Sequence, residues 1–425
     1  MKESSEAMYL TLPLPSGWSR QTFGDLISII ATTNKKIKSK EYNARGNFPV
    51  VDQGQEFISG YSDNKANVIN EDSPVILFGD HTRNVKYLDF PFVPGADGVK
   101  AFIPVNKNCP RFLYFLTLYL SQIFPSKGYA RHFHHIEKSN VAIPSRGVQK
   151  EIAEKIDSLF RKIDDANTLM NQSLSDISLF KQSILNSAIR GKLVPQDSND
   201  EPASKLLDNI QKKKLLNERK KGKPLPPISD DDIPFEIPVG WVWIRLGEVI
   251  KLYSGQHIEA IDYNSTKKGT PYLTGPSDFA ERHPVITKWT TKPKVIAPPN
   301  SILVTVKGSG VGKINTLEST PICISRQLMA VESIELNRNY VELFLNQSFT
   351  KLADNAQGLI PGLSREDIEN LVFPLPPLNE QARISNNVLR YTELSKKIFT
   401  EIQNNLINAN ILKQSILKKA FAGEL

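Results

Sequence analysis

Cysteine is scarce in this sequence, and several other features are missing altogether. The 425 residues include two cysteines, Cys109 and Cys323, which give neither a disulfide framework nor the paired spacing of a zinc site. No run of about 18 apolar residues occurs, so no membrane-spanning helix is expected. The first residues lack the charged-then-apolar order of a secretory signal peptide. We therefore expect a protein of a reducing compartment, the cytoplasm.

Positive charge is in surplus. The chain carries 53 Lys and Arg against 45 Asp and Glu, which gives a net charge of +8 and a pI of about 9.1. Such a balance suits a polyanionic partner, because each Lys or Arg placed at a phosphate releases condensed counterions. The charge alone does not distinguish a protein that binds a polyanion from one that is merely basic. The length predicts two to three domains.

Two short motifs occur twice. Pro15-Ser16-Gly17-Trp18 returns as Pro238-Val239-Gly240-Trp241, and the string Lys-Gln-Ser-Ile-Leu occurs at residues 181–185 and 413–417. A repeat of this length indicates two copies of one structural unit. The regions between the motifs, 28–142 and 251–372, show no obvious similarity to each other. The flanking motifs are therefore duplicated, whereas the regions between them have diverged. This suggests two domains with the same task and different targets.

Each half of the sequence ends with a long stretch in which apolar residues recur at helical spacing. Apolar residues recur every three or four positions from Gln149 to Ala188 and from Gln381 to Ala420. This spacing predicts two helices of about 40 residues each, or roughly 60 Å at 1.5 Å per residue. Gly191 stands where a helix C-cap is expected, and Gly423 does so in the second half. We expect the two stripes to pack on each other as a coiled coil, which would place the globular regions at opposite ends if the helices are antiparallel; packing of each stripe on its own domain is the alternative.

These patterns define five segments. We expect a first globular domain at 1–145, a first long helix at 146–194, a linker at 195–235, a second globular domain at 236–376 and a second long helix at 377–425. The linker is basic and proline-rich, and its apolar residues predict a short helix ahead of an extended stretch. Its lysines could bind phosphates or lie in solvent.

A search for catalytic or metal-binding motifs finds none that fits. Residues 307–314, Lys-Gly-Ser-Gly-Val-Gly-Lys-Ile, have three residues between the outer glycines rather than the four of a phosphate loop, and Ile314 replaces the required Ser or Thr. A tight turn between strands is expected there. His132, His134 and His135 have no cysteine or acidic pair at ligand spacing, so no metal is expected. The closest match to a methyltransferase loop, Ala297-Pro298-Pro299-Asn300, lacks the required residues.

The chain resembles the specificity subunits of type I restriction–modification systems over its whole length. The resemblance rests on the two Pro-x-Gly-Trp motifs, on residues 374–381 (Pro-Leu-Pro-Pro-Leu-Asn-Glu-Gln) and on the two Lys-Gln-Ser-Ile-Leu strings. It implies an α+β fold with two mixed α/β target recognition domains, joined by two long antiparallel coiled-coil helices in a pseudo-two-fold repeat. The first boundary, Ile143-Pro144-Ser145, is shorter and lacks the Pro-Pro pair.

The same resemblance implies the function. Each recognition domain would read one half of a bipartite double-stranded DNA target, and the helices would set the gap between the halves. Two modification (M) subunits would dock on the frame, and restriction (R) subunits would join through them. The chain itself would be non-catalytic and hold no cofactor; S-adenosylmethionine, ATP and Mg²⁺ would belong to the partners. An enzyme of unfamiliar motif and a scaffold that binds no DNA are the alternatives.

Base-reading residues do not follow from the resemblance, so we select candidates by chemistry. Bases are read by Arg, Lys, Asn, Gln, Ser and Thr on exposed loops, and phosphates are held by Lys and Arg. A structural or solvated role is the alternative for each. The candidates in the first domain are Thr82, Arg83, Lys86, Arg131 and His132. Those in the second domain are Lys307, Ser309, Lys313, Arg326 and Gln327.

Overall fold

The computed structural model describes residues 14–95, 98–124, 131–217, 224–308, 310–355 and 362–425. The chain divides into two compact units, one made of residues 1–173 and 401–425 and the other of residues 174–400. No helix of the described residues is both long enough and apolar enough to cross a membrane.

The first half of the chain contributes nine strands and three helices to the described structure. Their bounds are β1 (Ser19–Thr22), β2 (Ile27–Ile30), β3 (Phe48–Val51), β4 (Gly60–Ser62), β5 (Val75–Gly79), β6 (Val85–Leu88), β7 (Val93–Pro94), β8 (Val99–Pro104), α1 (Pro110–Ile123), α2 (Phe133–Glu137), β9 (Asn140–Ile143) and α3 (Arg146–Ile189).

The second half begins with one further helix and then follows a similar order. Its elements are α4 (Ala203–Asn217), β10 (Val242–Arg245), β11 (Ile250–Ser254), β12 (Tyr263–Asn264), β13 (Thr270–Leu273), β14 (Lys288–Thr290), β15 (Ile296–Ala297), β16 (Ile302–Thr305), β17 (Ile314–Thr316), β18 (Ile322–Ile324), β19 (Leu328–Ser333), α5 (Arg338–Asn355), α6 (Arg365–Glu369), β20 (Val372–Leu375) and α7 (Leu378–Phe421).

The first unit is built on an antiparallel sheet of order β2-β8-β5-β6 and a smaller sheet of order β4-β3-β7, in which β3 and β7 are parallel. Alternate residues of β5 face opposite sides, as a pleated strand requires. Ile76 and Phe78 pack with Phe112 and Leu116 of α1, whereas Leu77 packs into a second apolar cluster on the other face. The larger sheet is therefore buried on both faces.

The second unit repeats this topology. Its main sheet has the order β11-β19-β16-β17, and its smaller sheet contains β14-β13-β18 with β12 and β15 added at the edges. The β13–β18 pair is parallel, like β3–β7. In each unit a two-stranded ribbon, β1–β9 or β10–β20, leads directly into a long helix. The two middle regions, which look unrelated as sequences, therefore share one fold, because topology constrains the pattern of burial more than the identity of side chains.

The long helices pair within each unit. In the first unit Ile156 of α3 and Ile416 of α7 belong to one buried cluster, and Lys413 forms an ion pair with Asp164. In the second unit the rings of Phe180 and Tyr391 meet edge to face at 6.0 Å. Later residues of α3 thus meet earlier residues of α7, so the predicted antiparallel pairing is confirmed. The same stripes also contact the rest of their own units, as the alternative required.

Glycines end both long helices as predicted. Gly191 has φ +66° and Gly423 has φ +75°, the left-handed region in which glycine is favoured. The backbone N–H of the residue after each glycine reaches back to a carbonyl of the last turn, at 2.8 Å from Lys192 and 2.9 Å from Glu424. This is the hydrogen-bond pattern of a Schellman cap.

The capping glycines also explain why the Pro-x-Gly-Trp motif is repeated. A Cβ atom on Gly191 would lie 2.3 Å from Cγ of Pro238, and one on Gly423 would lie 2.5 Å from Cγ of Pro15. A side chain at either position would collide with a proline ring. Each helix end therefore packs closely against a copy of the motif.

The linker contains the predicted short helix, α4, and that helix packs against the second unit. Leu206 and Ile210 are buried in the core of the unit. The ammonium group of Lys214 donates to the carbonyl oxygens of Gly247 (2.8 Å) and Ile250 (3.1 Å), and Lys213 forms an ion pair with Glu335. These two lysines have protein partners, Lys212 is exposed, and the part of the basic run at 218–223 lies outside the described residues.

Candidate nucleic-acid interface

Three loops meet at one end of the first unit. They follow β3 (52–59), β5 (80–84) and β7 (described at Gly95 and Gly98), and we call them the first loop cluster. The backbone carbonyl of Gln53 accepts hydrogen bonds from the Thr82 hydroxyl at 2.6 Å and from the Asn84 amide at 3.0 Å. A Cβ atom on Gly98 would lie 2.7 Å from the His81 ring. The three loops are therefore tightly interlocked.

The start of α2 is fixed to the same cluster through Asp80. One carboxylate oxygen of Asp80 accepts the backbone N–H groups of His132 and Phe133, each at 2.8 Å. The His132 backbone also donates to the Asp80 carbonyl at 3.0 Å, and its ring Nδ1 lies 2.9 Å from that same oxygen. This buried set of contacts places Arg131 beside the loops.

The second unit has an equivalent arrangement, the second loop cluster, formed by the described residues 274–287, 306–308, 310–313 and 325–327. The Ser325 hydroxyl donates to the Thr274 carbonyl at 2.6 Å, which ties the first and third loops together. The backbone N–H of Leu363 donates to the Val306 carbonyl at 2.9 Å, in the place that the His132–Asp80 bond takes in the first unit. Each unit thus presents loops from the same strand ends.

The five candidates in the first unit divide into two groups. The Arg83 guanidinium donates to the carbonyl oxygens of Ser121 (3.2 Å) and Phe124 (2.8 Å) at the end of α1. The Lys86 side chain is buried and donates to the carbonyl of Glu56, which holds the 52–59 loop.

Burial lowers the pKa of the Lys86 ammonium, against the raising effect of the carboxylates of Asp52 and Glu56. Arg83, Lys86 and His132 are therefore committed to protein partners, and we assign them positioning roles. Thr82 is exposed, although its hydroxyl donates to the Gln53 carbonyl, and Arg131 is exposed beside the loops. DNA contact stays a prediction for all five.

The candidates of the second unit are more accessible. Lys307, Lys313 and Arg326 are exposed, and Gln327 is half-buried with its side chain against Gly275, where a Cβ atom would lie 2.0 Å from Oε1. Ser309 lies outside the described residues. DNA contact stays a prediction here as well.

The glycine-rich stretch at 307–314 connects the antiparallel strands β16 and β17, as predicted, through residues 306–313, of which Ser309 lies outside the described residues. Thr305 and Gly312 close it, since the Gly312 N–H donates to the Thr305 carbonyl at 2.9 Å. Its two flanking lysines, Lys307 and Lys313, are therefore exposed residues of the hairpin between β16 and β17.

Two residues that organise the first cluster are not evident from the sequence. Gln53 acts through its backbone carbonyl and Asp80 mainly through its carboxylate, each with residues far along the chain, and no local motif reports such contacts. Asp80 stands in Gly79-Asp80, directly after a buried strand, which is the one signal that a polar loop begins there. In the described part of the chain no group of three or more His, Cys, Asp or Glu side chains is placed to hold a metal.

A family model matches the chain in both halves. The model described as "Type I restriction modification DNA specificity domain" covers residues 15–174 and again 238–406. The two matches cover most of the chain and each contains one loop cluster.

Individual relatives carry the same description. The specificity subunit of the type I restriction enzyme EcoDI from Escherichia coli is 26% identical over 424 residues, which covers 97% of this chain and 89% of that protein. The EcoEI specificity subunit from Escherichia coli is 29% identical over 275 residues. That alignment covers 59% of this chain and 46% of the relative, so it spans about half the relative's length.

A solved structure has the same fold. The HsdS subunit from Thermoanaerobacter tengcongensis superposes with a TM-score of 0.62 at 19% identity, and the match covers 98% of this chain and 99% of that one. At this identity the likeness concerns the fold, with two mixed α/β units and paired long helices.

Proposed function

Because the chain belongs to the family of type I restriction–modification specificity subunits, we propose that it reads a DNA sequence for partner enzymes and carries out no chemistry itself. The observation that carries this proposal is the duplication. Two units with the same topology present loops of different length and composition from equivalent strand ends. A duplicated frame with divergent loops is suited to recognising two different short sequences.

Each loop cluster reads one half of a bipartite target. Exposed basic side chains that can reach base edges or phosphates stand on the second loop cluster at Lys307, Lys313 and Arg326, and Arg131 stands beside the first. The hairpin loop after β5 spans residues 80–84, whereas its counterpart after β16 spans 306–313. Loops of different length and charge would present different donors to the groove, so the two half-sites need not match.

The long helices set the gap between the half-sites. Each helix runs for 44 residues and contributes a paired segment to both units. A helix advances about 1.5 Å per residue, so its length fixes a distance far better than an extended linker would.

Exposed apolar side chains on the helices support docking of modification subunits. Ile407 and Ile411 of α7 are 59% and 57% exposed in the first unit, and Leu179 of α3 is 62% exposed in the second. Apolar stripes left open on a helix commonly mark a partner surface. Exposed apolar side chains on the long helices of each unit fit two modification subunits, with the restriction subunits joining through them. S-adenosylmethionine, ATP and Mg²⁺ would be bound by those partners.

Methylome sequencing tests the proposal directly. A host that expresses this chain with its modification subunit is expected to carry methylated adenines in one interrupted, bipartite motif, and a host with the modification subunit alone is expected to lack it. Modification that follows no sequence motif would argue against DNA reading. Methyl transfer from labelled S-adenosylmethionine by the purified chain alone would show instead that it is an enzyme.

A further inference from the structure

A strongly basic segment borders the first loop cluster. Residues 35–42, Lys-Lys-Ile-Lys-Ser-Lys-Glu-Tyr, carry four lysines and one glutamate, and we call them the basic segment. Lys38 and Lys40 are exposed, and Lys36 is partly exposed. None of the ion pairs among the described residues involves these three lysines, so their charges are available to a partner.

The segment is anchored on both sides of its exposed lysines. Ile37 is buried, and its backbone N–H donates to the carbonyl of Pro94 at 3.1 Å, at the end of β7. The Tyr42 hydroxyl lies 3.3 Å from a carboxylate oxygen of Asp52, at the start of the loop after β3. The chain between these anchors therefore borders the loops of the first cluster and is held in place.

The corresponding segment of the second unit has the opposite character. Residues 255–262, which follow β11 as the basic segment follows β2, contain Glu259 and Asp262 and no lysine or arginine. In that unit three exposed cations stand on the loops after β16 and β18, at Lys307, Lys313 and Arg326. In the first unit Arg83 and Lys86 are engaged with protein carbonyls, so the loops offer fewer free charges.

We propose that the basic segment binds the DNA phosphates that flank the bases read by the first loop cluster. This rests on the proposed function, since it assigns a phosphate-binding site to the same DNA-reading surface. Lys36, Lys38 and Lys40 are the contacts. Lys35 is not one of them, because its ammonium group donates to the carbonyl of Val68 at 2.7 Å. Phosphate contacts fix the register of a protein on the duplex without reading its sequence.

The salt dependence of binding tests this site. The full chain is titrated with a random-sequence DNA duplex between about 50 and 200 mM salt, where each phosphate neutralised by the protein adds about 0.9 to the steepness of log K against log salt. The triple variant Lys36→Gln/Lys38→Gln/Lys40→Gln is expected to lower the slope by about 2 to 3. The triple Arg variant at the same positions keeps the charge and is expected to keep the slope.

A matched variant controls for net charge. Lys107, Lys138 and Lys155 are exposed; the first two follow β8 and α2 and the third lies on α3, away from the strand ends that carry the loops. Changing all three to Gln is expected to leave the slope near that of the parent chain. An equal decrease in this control, or an unchanged slope in the basic-segment variant with its melting temperature intact, overturns the proposal. A parent chain that fails to bind duplex at the lowest salt overturns the proposed function instead.

Discussion

Gln149 accepts a hydrogen bond from the backbone N–H of Cys109 through its side-chain oxygen, at 2.9 Å. Its amide nitrogen donates back to the carbonyl of Pro144 at 3.1 Å. Gln381 makes the same two bonds in the second half, to Asn337 and Pro376, each at 2.9 Å. One buried glutamine at the start of each long helix thus joins that helix to the helix behind the sheet.

Replacing this glutamine should destabilise the fold. Gln149→Leu keeps the size but leaves a buried N–H and a buried carbonyl without partners, which is expected to cost about 1–3 kcal/mol in the free energy of unfolding. Gln381→Leu should cost a similar amount. Urea denaturation measures both. Val148→Ala, at the neighbouring exposed position, is the control and should change stability by about 0.5 kcal/mol or less. Unchanged stability in both Leu variants would show that the hydrogen bonds of these glutamines do not stabilise the fold.

Two arginines of the first unit should behave differently. Arg83→Met removes two hydrogen bonds to the end of α1 and is expected to lower the free energy of unfolding by about 1–2 kcal/mol. Arg131→Met removes an exposed cation, so stability should hold while the salt slope of DNA binding falls by about 0.9. Thermal melts and DNA titrations on both variants separate the two effects. If Arg83→Met weakened DNA binding with no loss of stability, its assignment as a positioning residue would be wrong.

The buried carboxyl of Glu380 gives a pH-dependent contribution to stability. Burial raises the pKa of Glu380, although hydrogen bonds from Trp241 and Gln196 act in the opposite direction. An acid whose pKa is raised on folding stabilises the native state at low pH, and this contribution is lost as pH rises from the unfolded-state pKa through the folded-state pKa.

The variant Glu380→Gln lacks that titration. Relative to it, the parent chain should lose stability as pH rises above the ordinary glutamate range and then level off. Urea titrations of both proteins from acidic to neutral pH measure the difference. A difference that stays flat across this range would mean that Glu380 keeps an ordinary pKa.

The exposed stripe on α7 should be needed for partner binding and not for folding. Ile407→Glu/Ile411→Glu places two charges at positions one turn apart on the exposed face. We expect loss of the modification subunit from co-purified complexes with unchanged helix content by circular dichroism. The control Val239→Glu/Ile261→Glu alters two exposed aliphatic residues outside the long helices, 101% and 92% exposed, and should keep the partner. Retention of the partner by the α7 variant would place docking elsewhere.

Matched insertions test the spacing role of the helices. Seven residues added after Ser173 in α3 and after Thr400 in α7 preserve the heptad pattern in both. Seven residues advance a helix by about 10 Å, or roughly 3 base pairs, so the gap of the methylated motif should lengthen by that amount. An insertion in one helix alone should disturb the pairing and lower modification. A gap that stays the same after matched insertions would refute the spacing role.

The sequence predicted the frame correctly and the interface only in part. Regular spacing along α3 and α7 reports which face of a helix is buried, so the long helices and their glycine caps could be derived from local pattern. The turn at 307–314 followed from its glycines in the same way. The roles of Arg83, Lys86 and His132 did not, because their partners lie far away in the chain and no local signal shows whether a cation faces solvent or a carbonyl.

By itself, the sequence determined the duplication, the two helices and the family, since repeats and periodicity are properties of residue order. Tertiary structure alone decided that the dissimilar regions 28–142 and 251–372 share one topology, and that loops after β3, β5 and β7 converge. The tertiary structure also decided which Lys and Arg side chains are exposed and can contact DNA. Burial and hydrogen bonding depend on residues brought together from distant positions, and a basic residue in the sequence, such as Lys86, becomes a structural one when a carbonyl such as that of Glu56 is its nearest partner.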